Sequence, residues 1–109
     1  IQDSLVGSEM CIRDRFIPIA SEPQKAAMIE LLEPTGDDTP IGRFIEKRGV
    51  GIQQICFQVD DINELISKLL DSGITMIDER PRIGSKNCLI AFVHPKSTGG
   101  VLVELSQKQ

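Results

Sequence analysis

Apolar residues alternate with polar ones in several short stretches and recur with helical spacing in two longer ones. Phe16-Ile17-Pro18-Ile19-Ala20 and Ala27 to Leu32 read as strands, and Pro18 confines the first to an edge or a strand end. Thr39 has the character of an N-cap, with Pro40 at the first helical position. Ile41, Phe44 and Ile45 form a stripe and Gly49 is a stop, which predicts a helix over 40–48. From Ile52 to Val59 the chain alternates again: Gln53, Ile55, Phe57 and Val59 form the expected core face, and Ile52, Gln54, Cys56 and Gln58 a polar or cleft face. Asp61 caps a second helix with Glu64 in the capping-box position. Its stripe is Ile62, Leu65, Ile66, Leu69 and Leu70, and Gly73 ends it. Ile74 to Ile77 reads as a strand and Pro81 to Asn87 as a loop. Leu89 to Val93 and Val101 to Leu105 read as paired strands joined by the loop His94 to Gly100. The order is β-β-α, then β-α-β-β-β, an α+β chain.

One residue interrupts the last strand. Alternation puts Leu102, Glu104 and Ser106 on one face and Val101, Val103 and Leu105, the expected core, on the other. The plainer reading of Glu104 is a solvated carboxylate on an open sheet face. The sharper one is a carboxylate partnered by a metal or a substrate proton, since burying it unpaired is costly. Glu30 lies in Ile29-Glu30-Leu31 as Glu104 lies in Val103-Glu104-Leu105, a hint of internal duplication.

Composition narrows the classes. The 109 residues allow one small domain or part of a larger one, and 40% hydrophobic residues suffice for a core. A net charge of -4 argues against nucleic acid and anionic membrane surfaces. No apolar run approaches the ~20 residues of a membrane span. The 3 cysteines have no metal-type spacing, which argues against a disulfide framework and suits a reducing compartment. Cys56 and Cys88 are expected to be core or cleft-wall residues rather than nucleophiles.

Leu5 to Asp14, LVGSEMCIRD, resemble the translation of a transposase-end sequencing adapter. The segment 1–15 is therefore set apart as non-native, the alternative being a native arm starting at Met10. The authentic chain is expected to begin upstream of Phe16.

The segments IELLEPTGDDTPIGRFIEKRG, GIQQICFQVDDI, GITMIDERPRIG and FVHPKSTGGVLVELSQ resemble the methylmalonyl-CoA epimerase family of the vicinal oxygen chelate (glyoxalase-like) superfamily. That resemblance implies two βαβββ modules curved around a metal-containing cup. Residues 51–107 are then a complete second module, and 16–50 the last two strands of a truncated first module with its linking helix. It implies proton removal and return at the carbon between a carboxylate and a thioester, with carboxylates as acid and base and a divalent ion, cobalt or similar, on the carbonyl oxygens. Matched position by position, Glu30 and Glu104 are the catalytic carboxylates, and Glu30, Gln54 and Glu104 the metal ligands. The family carries His-His where this chain has Gln53-Gln54, so the ligand position Gln54 holds an amide, a weaker donor than imidazole for late first-row ions. The metal is therefore expected to be weakly bound or absent and the activity of this chain low.

The resemblance also places His94, Lys96 and Ser97 near the acyl or CoA group. Read from the residues alone, His94 is a structural residue rather than a ligand, and Lys96 is equally a solvated charge. Gly99 and Gly100 serve the turn, because no helix N-terminus follows them. The implied partners are an acyl-CoA substrate and a second copy in a homodimer, with no nucleic acid and no membrane. The implied location is cytoplasmic, or the mitochondrial matrix in a eukaryote. Two other readings stay open: a different glyoxalase-like lyase or isomerase, and a metal-free small-ligand-binding module, which Gln53-Gln54 favours. A half-cup with open edges is expected to aggregate or dimerise.

Overall fold

The computed structural model describes residues 12–18 and 27–109, with the backbone alone at 12–14 and 18. The expected strand end at Ile19-Ala20 lies outside the described residues. The chain divides into two compact units, 1–51 and 52–109.

In the first unit β1 (Ile12–Pro18) and β2 (Met28–Pro34) pair antiparallel, with Phe16 opposite Glu30 and Ile12 opposite Pro34. Pro18 is the last residue of β1, as its missing N–H dictates. The strand starts before Phe16, inside the segment set apart, because ladder hydrogen bonds use backbone groups that every residue but proline supplies. Along β2, Ile29 and Leu31 are half exposed, and the more covered side is that of Glu30, Leu32 and Pro34. Helix α1 (Pro40–Arg48) lies against β2. Its start is fixed locally: Thr39 Oγ1 accepts from the Gly42 N–H at 3.0 Å and donates to the Gly36 carbonyl at 2.8 Å. Gly42 is required there, since a Cβ would sit 2.5 Å from the Gly36 carbonyl oxygen. Gly49, at φ +77°, turns the chain out of the helix and donates to the Ile45 carbonyl at 2.7 Å.

The second unit is a 4-stranded sheet with one helix. Its strands are β3 (Gln54–Gln58), β4 (Arg82–Ile83), β5 (Cys88–Val93) and β6 (Leu102–Lys108), in the spatial order β3-β6-β5-β4. β3 and β6 are parallel, the other pairs antiparallel. A parallel pair needs a crossover, and α2 (Ile62–Asp71) supplies it. Asp61 Oδ1 accepts from the Glu64 N–H at 3.0 Å, and Gln107 of β6 reaches over to accept from the Ile62 N–H at 2.7 Å. Both satisfy donors at the helix start that have no partner within the helix. The stripe of α2 buries Ile62 and Ile66 against Ala91, Val93 and Leu105, with Met76 completing this cluster. The opposite sheet face carries a second cluster, Ile90, Phe92 and Leu102, with Cys88 against it. These are the elements of a βαβββ module, preceded by a hairpin and a linking helix.

Two expectations are corrected. Ile74 to Ile77 is not a regular strand: it makes one bridge, Met76 to Val93, flanked by His94 N–H to the Thr75 carbonyl (2.9 Å) and Ile77 N–H to the Phe92 carbonyl (2.8 Å). The module's strand before β5 is instead Arg82–Ile83, inside the expected loop, because pairing with Ile90 and Leu89 and not local pattern selects it. The supposed core face of β3 is also only half covered, with Phe57 53% exposed, because β3 is an edge strand that α2 does not fully overlie.

Candidate active site

The centre of the second unit's sheet is β6, flanked by β3 and β5. Residues directly opposite in either ladder share a face. On one face lie Leu102, Glu104 and Ser106 with Gln54, Cys56 and Gln58 of β3 and Ile90 and Phe92 of β5. Val103 and Leu105 point to the α2 side.

Glu104 is 1% exposed, so the solvated reading is wrong. A carboxylate in that setting requires donors. Gln54 supplies one: its Nε2 donates to Glu104 Oε1 at 2.6 Å. The two are offset by one pleat, since Gln54 faces Leu102 in the ladder and Cys56 faces Glu104. Cys56 is exposed and lies on the Glu104 face, so it is a wall residue of that side, and Cys88 is half-buried.

Sequence reasoning missed the neighbouring arrangement on β4 and β5. Arg82 lies opposite Ile90 and its guanidinium carbon stands 5.6 Å from the centroid of the buried Phe92 ring. Arg82 Nε donates to Asp78 Oδ1 at 3.2 Å, and Asp78 Oδ2 accepts from the Phe92 N–H at 2.8 Å. Phe92 in turn is the direct ladder partner of Glu104. The only hint in the sequence is the spacing of Asp78 and Arg82, and nothing local ties either to Phe92.

Of the other expected site residues, Glu30 lies in the first unit, half-buried on β2. His94, Lys96 and Ser97 lie in the β5–β6 connection, a short 3-10 turn over Pro95–Ser97. His94 Nδ1 accepts from the Lys96 N–H at 3.1 Å and Ser97 Oγ from the Thr75 N–H at 3.0 Å, so both order the loop. Gly99 and Gly100 have positive φ, as the turn requires. Ser97 also lines a cavity of ≈ 460 Å³ on the α2 side, with Phe57, Val59, Leu65 and Leu69; neither Glu104 nor Gln54 belongs to it.

A first-row divalent ion takes at least about three protein ligands. Gln54 and Glu104 offer two, and the amide N–H of Gln54 is already directed at the carboxylate. Among the described residues no group of three His, Cys, Asp or Glu side chains is gathered to hold an ion. The second unit by itself therefore does not fit a divalent metal.

Residues 16–92 match the Glyoxalase/Bleomycin resistance protein/Dioxygenase superfamily. The chain is 47% identical over 81 residues to the mitochondrial methylmalonyl-CoA epimerase of Dictyostelium discoideum, covering 73% of this chain and 49% of that protein. To the human mitochondrial methylmalonyl-CoA epimerase it is 42% identical, covering 72% and 46%. It thus spans about half the length of these curated relatives. The crystal structure of methylmalonyl-CoA epimerase from Mycobacterium tuberculosis superposes with a TM-score of 0.73 at 31% identity, over 100% of this chain and 69% of that one. The sheet order, the buried acid on its central strand and these likenesses converge: the chain belongs to the glyoxalase/bleomycin resistance protein/dioxygenase superfamily, the vicinal oxygen chelate proteins.

Proposed function

We propose that the function is epimerisation of methylmalonyl-CoA, or of a closely similar 2-carboxyacyl-CoA, by proton removal and return at C2. The observation that carries this reading is Glu104: a carboxylate 1% exposed on the central strand, hydrogen-bonded by the Gln54 amide, in a chain similar to methylmalonyl-CoA epimerases. Glu104 takes the C2 proton as a carboxylate and holds it as the neutral acid. Return of a proton to the other side of the planar enolate, assigned to Glu30, gives the inverted centre. Gln54 orients Glu104 through its 2.6 Å hydrogen bond and satisfies it while it is charged. His94, Lys96 and Ser97 are assigned to the acyl or CoA end of the ligand.

The proposal includes a divalent ion, cobalt or similar, held weakly by Glu30, Gln54 and Glu104; when bound, it would offset charge developing on the thioester oxygen. The partners are the acyl-CoA ester and a second copy of the chain. The location is cytoplasmic, or the mitochondrial matrix in a eukaryote, in keeping with the mitochondrial relatives. No helix among the described residues is long and apolar enough to cross a membrane.

The test is deuterium uptake at C2 of methylmalonyl-CoA in D2O, followed by NMR with and without added cobalt. Uptake that Glu104→Gln removes supports the epimerase. A second reading, a metal-free binding module, is favoured by the Gln54 amide donating to Glu104. It predicts saturable acyl-CoA binding with no uptake under either condition.

A further inference from the structure

We propose that Arg82 is an anion-binding residue of the Glu104 face, receiving a carboxylate or phosphate oxygen of the acyl-CoA ester; the assignment rests on the epimerase reading. Three observations lead there. The first is placement. Arg82 is paired with Ile90, so its side chain rises on the face that carries Glu104, and it leans over Phe92, the ladder partner of Glu104. Adjacent strands lie ~4.8 Å apart, so an anionic group at the guanidinium is within the reach of a small acyl unit from the Glu104 carboxylate.

The second observation is preorganisation. Asp78 holds Nε at 3.2 Å and is itself pinned by the Phe92 N–H at 2.8 Å, while the Phe92 ring supports the guanidinium at 5.6 Å. The plane of the group is therefore set. Its terminal N–H groups, the fork that takes two oxygens of one carboxylate or phosphate, donate to no acceptor among the described residues. The Arg82 side chain is 46% exposed, open to a ligand from solvent.

The third is charge. The chain carries a net -4 and places a carboxylate on this face, both of which repel an anionic thioester. Asp78 already balances the guanidinium charge, so what Arg82 adds beside Phe92 is a set of terminal N–H donors directed to an anion. An Arg82 that merely neutralised Asp78 would have no effect on ligand binding, and this separates the two roles.

Calorimetry with three probes tests the assignment: malonyl-CoA, malonyl-N-acetylcysteamine thioester, which keeps the carboxylate and lacks the phosphates, and propionyl-CoA, which does the reverse. Loss of one charge-assisted contact in Arg82→Met should weaken malonyl-CoA about tenfold or more. An equal loss for the cysteamine thioester alone names the carboxylate, and for propionyl-CoA alone the phosphate. Arg82→Lys keeps the ion pair and loses the fork; it should weaken malonyl-CoA about threefold or more, and carries the test if the Met variant does not fold. Wild-type affinity of both variants for all three probes overturns the assignment and leaves the epimerase reading standing. A wild-type chain that binds none of them overturns both.

Discussion

Gln54 Nε2 donates to Glu104 Oε1 at 2.6 Å, across a parallel ladder in which the two residues are not direct partners. The offset matters because it lets the Gln54 side chain lie along the sheet and reach the carboxylate from one pleat away. An amide donor fixes the carboxylate without neutralising it, which suits a base that must accept a proton and release it.

Glu104→Gln should therefore separate stability from chemistry. The isosteric amide keeps one oxygen for Gln54 Nε2, and relieving a buried charge offsets the weaker hydrogen bond, so urea denaturation should change by about 1 kcal/mol or less. Deuterium uptake at C2 should fall by about 100-fold or more, the usual contribution of a positioned acid or base. Equal uptake by variant and wild type would remove Glu104 from the chemistry.

Gln54→His tests the amide as a metal donor. The wild-type chain should bind cobalt with a dissociation constant weaker than about 1 µM, because a neutral amide and a carboxylate engaged by that amide make a poor site. Replacing the amide with imidazole should tighten binding by about tenfold or more. Calorimetric titration reads both, and sub-micromolar affinity of the unmodified chain contradicts the expectation.

The contrast between the two helices and the buried face marks where the sequence is legible. Helix α1 runs from Pro40 to Arg48 as Thr39, Pro40 and Gly49 predict, because capping hydrogen bonds span only a few residues. Asp61 sets the start of α2 and the turn glycines close the β5–β6 hairpin for the same reason. The alternation of β6 showed that Glu104 opposes Val103 and Leu105, but burial of its face depends on Ile90 and Phe92 from another strand. Likewise the choice of Arg82–Ile83 over Ile74–Ile77 as the strand beside β5 is made by backbone partners distant in the chain. The resemblance located Gln54 and Glu104 as ligand positions on the first and last strands of the module; their direct hydrogen bond became visible only with the register of β3 on β6.

Phe57 offers a test of the open edge. It is 53% exposed beside Ile55 on an edge strand, a surface that pairs readily with another copy. Phe57→Lys should lower self-association in sedimentation velocity at a given concentration, with unchanged helix signal by circular dichroism. Self-association that is insensitive to this change would place the contact on another surface.

Asp78 closes a gap that the two-residue β4 leaves in the sheet. On the side of β5 away from β6, the pairing of Arg82–Ile83 with Ile90 and Leu89 stops short of Phe92; the Phe92 carbonyl there accepts from the Ile77 and Asp78 N–H groups (2.8 and 3.2 Å), and its N–H donates to the Asp78 side chain at 2.8 Å. The carboxylate thus completes the ladder at a residue whose ring is fully buried. Asp78→Ala removes that acceptor and should cost about 1–3 kcal/mol, the range for an unsatisfied buried donor. Asp78→Asn keeps an oxygen for Phe92 and should recover most of the loss, while surrendering the ion pair with Arg82, which at its half-exposed site is worth ~1 kcal/mol or less. Urea denaturation of the three proteins separates the parts: a deficit in Asp78→Asn as large as that in Asp78→Ala would mean that the charge on Asp78, rather than its hydrogen bond to Phe92, holds this corner of the sheet.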